Sequence, residues 1–211
     1  MREAIMMNRY VVHLCTNQND LRTVWNIDAT EYGDMNVDFT LLHEWWRKFQ
    51  HGHHIIRNGE EIIGGFGLWP LSKNSYRKLQ RGSITEAGIN ILHPNKALGN
   101  KFWYLSGIIL KPEYRKKRAA WHLIHRVMTH WRVTWVANTY GKTIAIGAIP
   151  ISKDGLDMMT RFAFDLVHSA EQRNDHYPFY EKIVNITKPI IEYRYRQCRY
   201  FRDGELPLLD K

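Results

Sequence analysis

Four consecutive cations, Arg115, Lys116, Lys117 and Arg118, carry the most specific chemistry in this chain. They follow an apolar run from Phe102 to Leu110 that reads as a strand, stopped by Pro112. After Ala120, apolar residues recur at Leu123, Ile124, Val127, Met128, Trp131 and Trp135, the spacing that lays one stripe along a helix. The cations therefore crowd the start of a helix, where the first N–H groups lack intrahelical partners and the dipole is positive. Such a place binds anions, phosphate above all. With no such ligand, the same residues would be a solvated basic turn or a localisation patch. A second cluster, His51, His53 and His54, has no further pair and no partner carboxylate at a familiar ligand spacing, so no metal is expected there.

The elements that must position these groups can be read in order. Tyr10 to Leu14 forms a first strand. A helix capped by Asn19 or Asp20 carries Leu21, Val24, Trp25 and Tyr32 up to Gly33. A second starts after Asp38, with Phe39, Leu42, Trp45, Trp46 and Phe49 on its apolar face and Gly52 beyond its end. His53 to Arg57 and Glu61 to Trp69 are strands joined through Asn58-Gly59, a pair favoured in tight hairpins. Leu71 to Leu79 suggests a short helix, and Gly82 to Gly99 is loop-rich. Thr143 to Ile149 is a strand of β-branched and small residues, followed by a helix capped by Ser152 or Asp154 that runs through Met158, Met159 and Phe162. Ala163 to Val167 is another strand, His176 to Glu181 a loop, and Ile190 to Phe201 alternates Tyr and Arg as an edge strand would.

The chain of 211 residues is long enough for one domain with a sizeable core. With 44% hydrophobic residues and eight Trp it reads as globular and not disordered. Cys15 and Cys198 make no metal or redox pattern, and neither a signal-peptide core nor an apolar segment of the ~20 residues that span a bilayer is present. The expected setting is cytoplasmic, with no membrane association. A net charge of +9 favours anionic partners without naming one. Nucleic acid, tRNA included, is one such partner. Tyr193 and Tyr195 could stack bases while Arg194 and Arg196 bind phosphates, although no nucleic-acid-binding motif is present.

At the basic turn the chain resembles the GNAT-type N-acetyltransferases, whose acyl-CoA signature is Gln/Arg-x-x-Gly-x-Gly/Ala after a strand and a Pro-containing turn. Here it reads Arg115-x-x-Arg118-x-Ala120, led in by Leu110-Lys-Pro-Glu-Tyr114, with Arg118 where the family prefers Gly. The resemblance implies an α/β protein with a mixed, mostly antiparallel central sheet flanked by about four helices. It implies one domain over residues 1–211, with a basic aromatic extension from about 186. The cosubstrate would be acetyl-CoA or another acyl-CoA, held by Ile108, Ile109 and Leu110 on the signature strand, by Arg115, Lys116, Lys117, Arg118, Ala119 and Ala120 at the turn, and by Ser152. The strand from Thr143 would splay from the signature strand and leave a gap for the pantetheine arm, with Ala145, Gly147 and Ala148 small enough to admit it. The first two helices would border the acceptor, an amine of unspecified identity.

Acyl transfer to an amine needs a polarised carbonyl, a base and a thiolate that can leave. A backbone N–H near Ile109 or Leu110 would polarise the carbonyl. No carboxylate lies on Phe102 to Leu110, so the base must come from elsewhere. Tyr104 and Ser106 share one strand face and would carry a water relay, while Glu86 either faces solvent in its loop or supplies the base. The Tyr that often protonates the thiolate in this family is replaced by Met159, which leaves Tyr177 and Tyr180 as candidate acids. Two other classes stay open at this point: a non-catalytic acyl-CoA-binding domain and a basic nucleic-acid-binding module.

Overall fold

The computed structural model describes residues 10–33, 36–115 and 143–185. Among these residues seven strands form one sheet in the order β1-β2-β3-β4-β5-β7-β6. They are β1 (Tyr10–Leu14), β2 (His53–Asn58), β3 (Glu61–Pro70), β4 (Phe102–Leu110), β5 (Thr143–Ala148), β6 (Asp165–His168) and β7 (Phe179–Asn185). Every neighbouring pair is antiparallel except β4 with β5. Among the described residues six helices accompany the sheet: α1 (Gln18–Tyr32), α2 (Phe39–Lys48), α3 (Lys73–Gln80), α4 (Pro94–Ala97), α5 (Pro112–Arg115) and α6 (Lys153–Arg161). The expected mixed, mostly antiparallel sheet with flanking helices is the observed one.

Local chemistry explains most boundaries. Asn17, not Asn19 or Asp20, caps α1, its side chain accepting from Asp20 N. The cap must lie outside the helix, and Asn17 is the residue with extended backbone. Asp38 and Ser152 cap α2 and α6 in the same way. The β2–β3 hairpin pairs Asn58 with Glu61, so its two-residue loop is Gly59-Glu60 and not Asn58-Gly59. Gly59 has φ +62° and Glu60 is not in the positive-φ region, the pattern of a type II′ turn with Gly first.

The central strands are buried almost throughout. β3 and β4 contribute Phe66, Leu68, Trp69 and Trp103, each fully buried, and burying a side chain of that kind contributes roughly 1.5–3 kcal/mol. One expectation fails on the far side of β4. Residues 179–181 are not loop but the start of β7, which inserts between β5 and β6. Tyr-Pro-Phe-Tyr reads as a turn because of Pro178, yet the following residues pair with both neighbours. The helix after Ala120, the alternating Tyr/Arg segment and the C-terminal tail lie outside the described residues, as do Lys116, Lys117, Arg118, Ala119 and Ala120.

Candidate active site at the β4–β5 gap

The parallel strands β4 and β5 pair only from Phe102 with Ala145 to Leu105 with Ala148. β5 ends there, while β4 continues to Leu110 beside β3. Between Ser106 and Ile109 the β3–β4 register shifts, because β4 carries one residue more than its partner. Gly107 sits in this bulge with φ +53°, a conformation that other residues rarely adopt. Beyond the bulge, Lys111 N–H donates to Ile63 O on β3. By the strand's period of two, the Leu110 N–H points the other way, toward the space β5 has vacated. Leu110 O lies on that same side and accepts from Arg115 Nε at 2.8 Å.

This gap opens into a cavity of about 110 Å³. Leu105 to Ile108 form one wall, Ala148 to Ser152 another, and α1 and α2 contribute Asp28, Tyr32 and Trp45. Two carboxylates face it. Asp28 lies close to the bulge: a Cβ on Gly107 would be 3.8 Å from its Oδ2, and its buried Oδ1 has no hydrogen-bond partner among the described residues. Burial, with lesser contributions from Glu86 and Glu31, pushes the Asp28 carboxyl up to about 7. Glu86 lies in a short 3-10 turn (Glu86–Gly88) and accepts a 2.5 Å hydrogen bond from the Tyr104 hydroxyl. Burial raises its pKa and the Tyr104 bond opposes the rise. The solvent-facing alternative for Glu86 is thus wrong, because the β3–β4 insertion folds inward over Tyr104.

Ser106 also lines the cavity, and its Oγ accepts from Trp69 Nε1 at 2.8 Å. Ser152 caps α6 by accepting from Gly155 N, and its Oγ lies 3.5 Å from the Tyr32 hydroxyl. Burial raises the Tyr32 pKa, so its proton stays in place until something basic arrives. Met159 is buried in the same wall. Tyr177 lines an outer groove of about 390 Å³ that shares Glu86 with the inner cavity. Tyr180 pairs with Ala148 and Leu166 in the sheet and lines neither space.

Gly147 does not serve the gap. A Cβ there would lie 2.3 Å from Phe179 Cζ and 3.0 Å from the Tyr76 hydroxyl, so its smallness serves core packing. Arg115 forms an ion pair with Glu31 at 2.6 Å and approaches Asp154 at 3.8 Å, which joins α1, the end of β4 and the start of α6. No group of three or more His, Cys, Asp or Glu among the described residues is placed to hold a metal. No helix among them is long and apolar enough to cross a membrane.

Sequence reasoning missed Asp28. A signal was present: Leu21, Val24, Asp28 and Tyr32 follow one another at intervals of three and four, so a carboxylate stands on the apolar stripe of α1. His53 was weighed only for metal binding, which was not expected there. It is a neutral group in the cavity wall, its pKa pushed down to about 4 by burial.

Comparison with known proteins agrees with this architecture. The family model for GNAT acetyltransferases matches residues 19–139, more than half of the chain. A comparison with curated proteins finds no match. Among solved structures, Ard1 from Thermoplasma volcanium aligns at TM-score 0.56 and 8% identity, over 85% of this chain and 99% of its own. A NatC complex bound to Gag peptide and CoA aligns at TM-score 0.54 and 8% identity, over 85% and 99%. FeeM, an N-acyl amino acid synthase from uncultured soil microbes, aligns at TM-score 0.55 and 12% identity, over 85% and 93%. At these identities the structures share the fold, and the family rests on the sequence match over residues 19–139, from α1 through β4 and the signature turn. The chain belongs to the GNAT family of acetyltransferases, which use acyl-CoA as donor.

Proposed function

We propose that this protein transfers an acetyl group from acetyl-CoA to the nitrogen of a small amine by direct attack, with Asp28 as the base. The observation that carries this reading is the position of Asp28: a buried carboxyl with an unpartnered oxygen, beside the β4 bulge where the strands part. A base whose pKa lies near 7 takes and releases a proton at little cost around neutral pH.

The residues fit the donor. The Leu110 N–H, and Ile108 one period back, face the gap as a missing strand would require, and Ala148 leaves room. Ile109 points its backbone to β3 and supports the strand from behind. Ser152 and the start of α6 close the far end. Arg115 supports the exit of β4, and the turn it opens, Lys116, Lys117 and Arg118 with Ala119 and Ala120, is assigned the phosphate contacts.

Acetyl-CoA supplies the acetyl group as a thioester, so a C–N bond forms and a C–S bond breaks. Asp28 accepts a proton from the incoming ammonium, directly or through a water. A backbone N–H of β4 donates to the carbonyl oxygen as charge develops. The Tyr32 hydroxyl, beside Ser152, gives its proton to the departing sulfur and regains one from the acylated nitrogen by way of solvent. Glu86, which accepts from the Tyr104 hydroxyl, adds to the burial that keeps the Asp28 pKa high. No covalent enzyme intermediate is needed. Cys15 is buried away from the cavity, its thiol pushed up to about 12, which leaves it a poor nucleophile.

The test is thiol release from acetyl-CoA with a panel of amines, for wild type and Asp28→Asn. Amine-dependent release that collapses in the variant supports the reading. Release that ignores Asp28 overturns the assignment of the base, and binding of acetyl-CoA without turnover for any amine favours a non-catalytic acyl-CoA-binding role.

A further inference from the structure

Two buried polar atoms in the cavity wall have no part in the chemistry above. Trp45, on α2, is 4% exposed, and its Nε1 has no hydrogen-bond partner among the described residues. His53, the first residue of β2, is also 4% exposed, and its Nδ1 is equally unpartnered among them. Both line the cavity, and both pack against Trp69, with ring centroids 5.6 Å and 6.3 Å away. Trp69 itself is satisfied by Ser106 Oγ, an arrangement that leaves the Ser106 hydroxyl proton available to donate.

The chemistry of this inner wall is specific. An indole N–H can only donate. The His53 ring is neutral, and burial would oppose charging it. A buried donor left without a partner is costly, so the wall calls for an uncharged acceptor atom. An anion fits badly, because Asp28 and Glu86 line the same small cavity and no Lys or Arg among the described residues does.

We propose that the acceptor is a small primary amine bearing a neutral oxygen, a hydroxyl or an amide carbonyl, which Trp45 Nε1 and His53 bind while the nitrogen lies at Asp28. This rests on the acyl-transfer reading of the same cavity. Free amino alcohols and amino amides offer this chemistry, and so does the first residue of a peptide. The outer groove, which meets the inner cavity at Glu86, has room for the remainder of a longer acceptor.

The experiment measures kcat/KM for glycinamide, ethanolamine, n-propylamine, glycine and a glycine-led tetrapeptide, with wild type and with Trp45→Phe checked for folding by thermal melting. Wild type should use glycinamide or ethanolamine at least about tenfold better than n-propylamine and should use glycine worst, since a site built to hydrogen-bond an oxygen penalises its loss. In Trp45→Phe the preference for the oxygen should shrink toward one. Turnover of the tetrapeptide at the glycinamide level identifies a peptide source, and its failure beside good glycinamide turnover identifies free small amines. Equal use of n-propylamine and glycinamide by wild type, or a preference for glycine, overturns the proposal, and this arm stands even if Trp45→Phe does not fold. If no amine is acetylated, the acyl-transfer reading fails, and calorimetric titration with glycinamide and n-propylamine still decides: tighter glycinamide binding upholds the recognition and equal binding overturns it.

Discussion

Two buried polar clusters flank β4 and β5, and they differ in one respect. Near α3, Glu181 accepts from the Tyr76 hydroxyl at 2.8 Å and from Gln80 Nε2 at 3.0 Å. Beside it Arg173, fully buried, donates to both oxygens of Asp175 and to the Leu79 and Gln80 carbonyls at the end of α3. None of the buried side-chain polar atoms there is left without a partner. At the gap, Asp28 Oδ1, Trp45 Nε1 and His53 Nδ1 have none among the described residues. Similar residue types are buried in both places, so type does not separate structure from function. Satisfaction does: the first cluster is complete without a ligand and the second is not.

This difference can be tested by breaking each side. The largest effect should follow Asp28→Asn, which removes the proposed base without changing shape. Acetyl transfer should fall by about 10²–10⁴-fold, the usual share of a general base, while thermal stability holds or rises. A clear loss of stability would place Asp28 with the structural cluster. Arg173→Leu should do the reverse. It leaves Asp175 and two helix-end carbonyls unpaired, so unfolding free energy should fall by roughly 3–5 kcal/mol in denaturant titrations. Gly147→Ala, which forces a methyl against Phe179 and Tyr76, should cost roughly 1–3 kcal/mol by the same measurement. Tyr76→Phe removes one of two donors to Glu181 and should cost about 1 kcal/mol.

The subtlest effect concerns pH. The carboxyl of Asp28 is raised in the folded state, so the folded protein binds a proton that the unfolded chain releases near its ordinary value of 3.8. Stability from this group is therefore greatest at low pH and declines as pH rises from about 4 to about 7. Activity runs the other way, because the base must be ionised. Its acidic limb should turn near 7. The groups bearing on Asp28 are Glu31 on its own helix, Glu86 across the cavity and, next to it, Tyr32 with Arg115 nearby. Glu86→Gln keeps an acceptor for Tyr104 but removes a neighbouring negative charge, so the acidic limb should move to lower pH in a pH–rate profile. An unmoved limb would separate the two carboxylates.

Much of the frame was legible in the chain. β1, β4 and the start of α2 fall where period and caps place them, since alternation, three-and-four spacing and Asp38 act within a few residues. The signature at Arg115 was legible as a motif and led to the right family. β7 was not, because Pro178 marks a turn locally while pairing with β5 and β6 is a long-range matter. Glu86 was named for want of another carboxylate near β4, and the structure brings it to Tyr104, on the strand already singled out. Trp45 was named on the apolar face of its helix, whereas Asp28 was passed over as a helix residue although it stands on an apolar stripe.

The sequence by itself determined the strand at Phe102 to Leu110 and its stop at Pro112, the hairpin at Gly59 and the basic excess, because these depend on neighbours along the chain. Only the tertiary structure decided which polar groups are used for chemistry. Whether a carboxylate is held ionised, pushed up to about 7 or fully paired depends on which surfaces remove its water and which donors reach it. For Asp28 those surfaces come from α1, the Glu86 turn and the β4 bulge, segments far apart in sequence that meet only when β5 parts from β4.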